Sequence, residues 1–263
     1  MHRVIDGLSV YIGGERSNQA VVFIHGFPFD HTLWDEVIAK LEERYYCIAY
    51  DIRGFGTSSV GHGQYTMERY VDDLDHILTS LKVDDPIVCG FSMGGYIALR
   101  ANEKLKIEFK ALILANTKTQ SDNDEAKLKR AAAISSIDEE GVAPFVEKFF
   151  SVAFSEAYRA QESQKLAAVK SKILRFSPIG MKGGLLAMVS RTDTTHTLHS
   201  IDIPVLLITG EQDRVIPPDV MKEMAVRIED STFVSLEESG HMSMLEKPHG
   251  FLTVLQHFLS QIS

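Results

Sequence analysis

The sequence predicts an α/β fold in which a doubly wound, mostly parallel sheet is interrupted by one inserted helical segment. Three observations predict it: short runs that are apolar throughout, helical stretches between them, and one long interval with helical pattern but no strand. Runs that are apolar on both faces are typical of strands covered by helices on both sides. Alternating strands and helices favour right-handed βαβ units in an open sheet.

Six runs are predicted as strands, of which the last is the weakest: residues 20–24, 45–50, 86–91, 111–115, 205–209 and 232–236. Apolar residues at steps of three and four predict helices over residues 33–41 and 67–81, the second with Thr66 as N-cap. The same spacing near the C-terminus predicts a helix opened by Pro217 and Pro218 and a last helix around residues 251–259.

Residues 119–200 are predicted to form a helical cap inserted into a core made of residues 1–118 and 201–263. This interval is far longer than an ordinary connection between elements. It begins with a stretch that we interpret as amphipathic, residues 124–130, and includes an aromatic stripe. The stripe contains Phe145, Phe149, Phe150 and Phe154. Its spacing fits packing between cap helices and also contact with a substrate, and both interpretations stay open.

Composition limits the class of protein. With 263 residues and 44% apolar content, the chain fits one sizeable α/β core. The net charge of −9 argues against nucleic acid as a partner, because it repels a polyanion. The lone Cys47 and Cys89 lie in strand-like runs, which favours buried thiols in a reducing compartment over a disulfide or a metal site. The N-terminus has neither a basic nor an apolar leader region, and no run approaches the roughly 18 apolar residues of a membrane span, so we expect a cytoplasmic protein without a membrane partner.

The strongest chemical signal is Gly90-Phe91-Ser92-Met93-Gly94, which lies between a predicted strand and an apolar helix. At such a junction G-x-S-x-G forms a nucleophile elbow, whose tight turn requires glycine at its flanks. A serine hydroxyl becomes a nucleophile only when a base removes its proton. Ser92 is therefore the predicted nucleophile, and without that context it would be an ordinary turn serine or helix cap.

His241 is the predicted base and Asp213 the predicted acid. His241 lies in a loop after the last predicted strand, and Asp213 lies at the end of the strand before it, which gives the order Ser, Asp, His. Glu211 and Glu238 are rivals for the acid, and the other usual location for it holds Asn116, which cannot be a carboxylate. The alternatives are a solvated loop imidazole for His241 and a turn-forming aspartate for Asp213.

Two backbone amides are predicted to form an oxyanion hole, since acyl transfer develops charge on a carbonyl oxygen. One belongs to Met93, directly after the nucleophile, and the other to Phe27 in the loop that follows the strand at residues 20–24. Gly26 allows the close approach of that loop. We interpret the neighbouring His25 as a residue that holds the loop by hydrogen bonds.

These motifs, together with Asp51-Ile52-Arg53-Gly54-Phe55-Gly56-Thr57-Ser58, make the chain similar to the α/β-hydrolase superfamily over nearly its whole length outside the cap. It most resembles the capped esterases and lactonases, such as 3-oxoadipate enol-lactonase and the cofactor-free haloperoxidase-like esterases. Epoxide hydrolases and haloalkane dehalogenases share the His-Gly-Phe-Pro loop but carry aspartate where this chain has Ser92. Ring-cleavage C–C hydrolases commonly have tryptophan where this chain has Met242. Arg53 belongs to a stretch that recurs in the superfamily, and we interpret it as a loop brace.

The predicted function is hydrolysis of a carboxylic ester or lactone of a small, largely apolar acid through an acyl-enzyme. This chemistry requires no metal and no organic cofactor, and the expected partner is the small-molecule substrate. Two alternatives stay open: a small-molecule receptor or signalling protein on the same scaffold, and acyl transfer to an acceptor other than water, including peroxide. Assembly into a homo-oligomer is also left open by the sequence.

Overall fold

The computed structural model describes residues 1–262 and contains a single eight-stranded sheet. The strands are β1 His2–Ile5, β2 Leu8–Gly13, β3 Ala20–Ile24, β4 Tyr46–Tyr50, β5 Ile87–Phe91, β6 Ala111–Ala115, β7 Val205–Gly210 and β8 Ser231–Leu236. Their order across the sheet is β1-β2-β4-β3-β5-β6-β7-β8. Only the β1–β2 and β2–β4 pairs are antiparallel. The predicted mostly parallel sheet is confirmed, and each of the six predicted strands agrees with the structure to within one residue at either end.

The antiparallel edge was not predicted as strands. The strands β1 and β2 form a hairpin in which Ile5 pairs with Leu8 across a two-residue turn. The turn residues Asp6 and Gly7 both have positive φ, at 47° and 77°. This is the backbone of a type I′ turn, which Asp-Gly favours because both residues tolerate the left-handed region. The Asp-Gly pair was therefore the signal for these strands.

Eleven helices accompany the sheet within the described residues. They are α1 Asp35–Leu41, α2 Met67–Leu81, α3 Met93–Lys104, α4 Asp124–Glu140, α5 Val142–Ala153, α6 Glu156–Gln161, α7 Ser163–Ile173, α8 Pro178–Val189, α9 Pro218–Val226, α10 Ser243–Glu246 and α11 Pro248–Ile262. Short 3-10 helices cover His31–Trp34 and Thr195–Ser200. The predicted N-cap at Thr66 is confirmed, because its hydroxyl accepts a hydrogen bond from the Arg69 amide at 3.1 Å.

The interval between β6 and β7 contains α4 to α8 and, among its described residues, no strand. The helix α8 lies directly on the loop after β4. A Cβ added to Gly180 would overlap with the Gly54 carbonyl, and one added to Gly184 would lie 2.7 Å from the Phe55 ring. The expected amphipathic start of α4 is wrong: Leu128, its large apolar side chain, is 71% exposed.

Both cysteines are free and buried, as predicted. Burial raises the pKa of the Cys47 thiol to about 12, because the thiolate would be poorly solvated there. Neither cysteine is thus a candidate nucleophile. None of the helices in residues 1–262 is long and apolar enough to span a membrane.

Candidate active site

Ser92 lies in the sharp turn between β5 and α3. Its backbone is in a strained conformation, with φ 50° and ψ −113°, a type of geometry that costs about 1–3 kcal/mol and persists only where the surroundings enforce it. Here they do, because the backbone segments touch: a Cβ on Gly90 would overlap with the Gly94 carbonyl, and one on Gly94 with the Ile24 carbonyl. The turn places Ser92 at the carboxyl edge of the sheet, which is the usual location of ligand sites in such folds.

The structure brings Ser92, His241 and Asp213 together. The Nε2 atom of His241 lies 3.0 Å from the Ser92 hydroxyl oxygen, and Nδ1 lies 2.8 Å from Oδ2 of Asp213. All three residues are buried, with Ser92 the most exposed at 8%. An ionised carboxylate only accepts hydrogen bonds, so Nδ1 carries the proton in this arrangement and Nε2 is free to accept one from Ser92.

Asp213 is held by four hydrogen-bond donors. Its Oδ1 atom accepts from the amides of Val215 and Ile216 at 2.8 and 2.9 Å. Its Oδ2 atom accepts from Nδ1 of His241 at 2.8 Å and from Nδ2 of Asn116 at 2.9 Å. The amides come from the turn that follows β7 and the Asn116 side chain from the end of β6, so the orientation of the carboxylate is set by two separate strands.

Asn116 and Ser243 are site residues that the sequence analysis missed. Asn116 has φ 46°, a left-handed conformation that asparagine tolerates better than most residues. The Ser243 hydroxyl donates to its Oδ1 at 2.6 Å, which turns the amide nitrogen toward Asp213. The available signal was the position of Asn116 at the carboxyl end of a central strand. From the sequence, Asn116 was considered only as a residue that cannot serve as the acid.

The rival carboxylates Glu211 and Glu238 point elsewhere. Both residues are exposed. Glu238 pairs with Lys247 at 2.8 Å, and Glu211 accepts from the Glu238 amide at 3.3 Å. Neither contact involves His241.

The two amides predicted to form the oxyanion hole belong to the loop after β3 and to the start of α3. Met93 is the first residue of α3, where helix geometry leaves an amide without an acceptor inside the helix. Phe27 lies in the loop after β3, and its ring packs edge-on against Phe55 and against Phe145, each with 5.7 Å between ring centroids. Phe145 belongs to α5, so this helix contacts the loop that carries the Phe27 amide.

The loops beneath the site are braced by buried polar residues. Nδ1 of His25 lies 2.9 Å from the Gly26 carbonyl oxygen. Its Nε2 accepts a hydrogen bond from the Ile52 amide, also at 2.9 Å. Burial lowers the pKa of His25, so it stays neutral in this role. Arg53 donates twice to Asp73 on α2, at 2.9 and 2.6 Å. The predictions that His25 holds its loop and that Arg53 is a brace are confirmed.

A second histidine in the same loops, His31, carries no sequence signal and yet is paired. Its Nδ1 lies 2.6 Å from Oδ1 of the buried Asp51. Within residues 1–262, Asp30, His31 and Asp51 are the set whose possible metal-ligand atoms all lie within 4.8 Å of one another. Nζ of Lys172 lies 2.6 Å from Oδ2 of Asp30, and the Thr57 amide donates to Oδ2 of Asp51 at 2.8 Å. Protein groups thus already satisfy this set.

The aromatic stripe of α5 packs against the core as well as within the cap. Phe149 and Phe150 lie 6.1 and 6.4 Å from Phe29, measured between ring centroids, and Phe29 in turn lies 6.4 Å from Phe91. Phe91 contacts the His241 ring at 5.0 Å. The packing interpretation is therefore correct, although its partner is the loop after β3 and not only other cap helices.

The fold and this site define the class of protein. A family model described as the alpha/beta hydrolase fold matches residues 19–248, and the chain belongs to that family. Among curated relatives, the chain is 28% identical over 255 residues to 3-oxoadipate enol-lactonase 1 of Acinetobacter baylyi, covering 97% of this chain and 94% of the relative.

Solved structures give the same result. A thermophilic esterase from Thermogutta terrifontis, solved with malate bound, superposes with a TM-score of 0.94 at 28% identity over 100% of this chain and 99% of the other. An enol-lactonase from Burkholderia xenovorans superposes with a TM-score of 0.90 at 23% identity, covering 99% of this chain and 100% of the other, and shows the shared fold. The predicted resemblance to capped esterases and lactonases is confirmed.

Proposed function

We propose that this protein hydrolyses carboxylic esters or lactones of a small, largely apolar acid through an acyl-enzyme on Ser92. The observation that carries the proposal is the unbroken hydrogen-bonded series from Ser92 through His241 to Asp213, with links of 3.0 and 2.8 Å. The relatives named enol-lactonase and esterase support ester and lactone hydrolysis as the reaction class. In this proposal, residues 119–200 act as a cap over a core formed by residues 1–118 and 201–263.

In the first half of the reaction, Ser92 attacks the carbonyl carbon while its hydroxyl proton passes to Nε2 of His241. The amides of Phe27 and Met93 donate to the oxygen that becomes negative. When the tetrahedral intermediate collapses, the bond to the leaving oxygen breaks, and that oxygen takes the proton from Nε2. Asp213 stabilises the imidazolium that exists between these two transfers.

In the second half, water gives a proton to Nε2 and attacks the acyl carbon as hydroxide. The bond between the carbon and the Ser92 oxygen then breaks, Ser92 takes the proton back, and the acid is released. A lactone follows the same steps, but the leaving hydroxyl stays on the acyl chain, so the product is a hydroxy acid.

The aromatic surroundings support an apolar acyl group. Phe27 and Phe29 are buried in the loop beside the site, and Phe145 and Phe149 on α5 lie against them, half-buried. Apolar walls with few polar groups are typical of small-molecule pockets. Aromatic rings on the cap and on the oxyanion loop would thus enclose the acyl chain from two sides.

The direct test combines a panel of p-nitrophenyl esters and lactones with fluorophosphonate labelling. We expect wild-type protein to turn over short esters steadily and to be labelled on Ser92. We expect Ser92→Ala to lose about 10⁴-fold or more in kcat/KM. Ser80→Ala, at an exposed position of α2, is the matched control and stays at wild-type activity. Wild-type turnover by folded Ser92→Ala would refute the proposal.

The same panel separates the alternatives. A receptor on this scaffold would bind a small molecule tightly, with a large rise in melting temperature and few turnovers. An acyltransferase or perhydrolase would release the acyl group faster to an added alcohol or to peroxide than to water. Product analysis with and without these acceptors distinguishes them from a hydrolase.

A further inference from the structure

The chain that leaves α5 passes directly over the loop that carries His241. The His241 amide donates to the Ala153 carbonyl at 2.8 Å. Ala153 is the last residue of α5, and Ser155 is the N-cap of α6. A backbone hydrogen bond therefore joins the helical interval to the residue proposed as the base.

Glu246 makes two more links at the same place. It lies at the end of α10 and is only 8% exposed. Its Oε2 atom accepts from the Ser155 amide at 3.0 Å, and its Oε1 atom accepts from the Gly240 amide at 3.1 Å. One carboxylate thus binds the backbone of the helical interval with one oxygen and the residue before His241 with the other.

The fit around Gly240 is tight. A Cβ at this position would lie 2.8 Å from the Ser155 nitrogen, 2.9 Å from Oε1 of Glu246 and 3.0 Å from the Ala153 carbonyl. Real Cβ atoms essentially never lie that close, so the three segments are already in van der Waals contact. Because these segments are closely packed, a shift of the 153–155 backbone also moves the loop of His241.

Glu246 has no cationic partner among the ion pairs of residues 1–262, whereas the adjacent Lys247 pairs with Glu238. A buried carboxylate without a counter-ion is costly unless hydrogen-bond donors satisfy it. The backbone amides of Ser155 and Gly240 are those donors.

We propose that Glu246 is a positioning residue for His241, and that it makes the reactivity of the histidine depend on the seating of the cap. The carboxylate holds residue 240 against residue 155, so that Nε2 of His241 stays within hydrogen-bond reach of Ser92. This inference rests on the proposed function.

Glu246→Gln is the main variant, because it keeps the size of the side chain but leaves one oxygen to accept from two amides. Glu238→Gln is the matched control, since Glu238 is an exposed glutamate of the same loop. Kinetics with p-nitrophenyl acetate are measured from pH 5 to 9. We expect Glu246→Gln to lower kcat by about 10- to 100-fold, the scale of a small misplacement of a reacting group. KM should stay within about twofold.

The split between kcat and KM separates positioning from mere structural support. A histidine loop that is held less firmly should slow the proton transfer and lower kcat, while the affinity for substrate is kept. Glu246→Asp keeps the carboxylate but is too short to reach both amides, so it should lose kcat as well.

Fluorophosphonate labelling makes the test independent of folding yield. The final stoichiometry counts competent molecules, and the rate constant reports how well His241 activates Ser92. Slow labelling to full stoichiometry by Glu246→Gln is the expected result. The inference is overturned if Glu246→Gln, like Glu238→Gln, labels at the wild-type rate with unchanged kcat, while Ser92→Ala is inactive. If Ser92→Ala retains turnover, the proposed function itself fails.

Discussion

Asn116 donates to the same Asp213 oxygen that accepts the proton-bearing Nδ1 of His241, at 2.9 and 2.8 Å respectively. The backbone amides that bind Asp213 donate to its other oxygen, so Asn116 does not compete with them for an acceptor. It holds Oδ2 at the angle that His241 requires. A residue at the end of β6 thus assists an acid that comes from the end of β7.

Removing the Asn116 amide should impair the proposed triad of Ser92, His241 and Asp213. We expect Asn116→Ala to lower kcat by about tenfold or more, because Asp213 loses one donor and the Ser243 hydroxyl loses its acceptor. Alanine also adds strain at φ 46°, worth about 1–2 kcal/mol. Asn116→Gly loses the same amide without that strain. Melting temperatures and kcat of the two variants separate the effects, and equal activity of Asn116→Gly and wild type would contradict the assigned role.

Asp213→Asn should lower kcat by about 10⁴-fold, because an amide nitrogen facing His241 favours the wrong imidazole tautomer. Glu211→Gln and Glu238→Gln are the controls, since both glutamates are exposed and make no contact with His241. Steady-state kinetics on the three variants decide which carboxylate serves the base. A comparable loss in either control would favour a rival acid.

Gly184→Ala, in α8, should weaken catalysis. The added methyl would lie 2.7 Å from the Phe55 ring and 2.9 Å from the Phe27 ring, so Phe27 must shift. We expect a loss of about 1–3 kcal/mol in stability from overpacking and a lower kcat from the displaced Phe27 amide. Gly250→Ala is the matched change, because its methyl would meet Leu236 at an ordinary 3.6 Å. Urea denaturation and kinetics on both variants test this prediction. Unchanged kcat in Gly184→Ala would contradict the role proposed for the Phe27 amide.

The His31–Asp51 pair should make stability depend on pH at both ends. Burial alone would raise the pKa of Asp51, but hydrogen bonds from His31 and Thr57 lower it to about 2. Its contribution is therefore present above the unfolded value of 3.8 and is lost as pH falls from about 4 toward 2. Burial alone would lower the pKa of His31, but Asp51 outweighs it and the pKa lies above 6.5. That contribution is full below pH 6.5 and is lost as pH rises through the raised value.

His31→Gln provides the check on this pH dependence. The variant should melt lower than wild type at pH 6, and the difference should shrink as pH rises through the raised pKa of His31. Differential scanning calorimetry from pH 3 to 9 measures it. His62→Gln, at an exposed position, should match wild type throughout. A gap that is constant with pH would show that the pair contributes packing and not charge.

Much of the fold could be predicted because the signals are local. The parallel strands β3 to β7 are short runs whose residues are buried on both faces, so the run alone marks them. The edge strand β8 is only partly buried, which agrees with its weaker signal. The elbow was equally visible, because Gly90 is required by its contact with the Gly94 backbone within the same turn. The antiparallel strands β1 and β2 were missed because neither is a run that is apolar throughout: β1 is mostly exposed and begins with His2 and Arg3, and β2, although mostly buried, contains Ser9. Residues 124–130 were wrongly interpreted as amphipathic because the sequence pattern does not reveal whether a neighbour covers a helix, and Leu128 is exposed.

The sequence by itself determined the order of strands and helices, the serine at the turn, and a histidine and an aspartate at the ends of later strands. These follow from periodicity and from residue types that only one local geometry accommodates. Only the tertiary structure decided that Asn116 and Ser243 support Asp213, that His31 pairs with Asp51, and that Glu246 ties residue 155 to residue 240. The physical reason is distance along the chain: these contacts join residues from 6 to 127 positions apart, and a hydrogen bond between such residues leaves no trace in the local pattern of either.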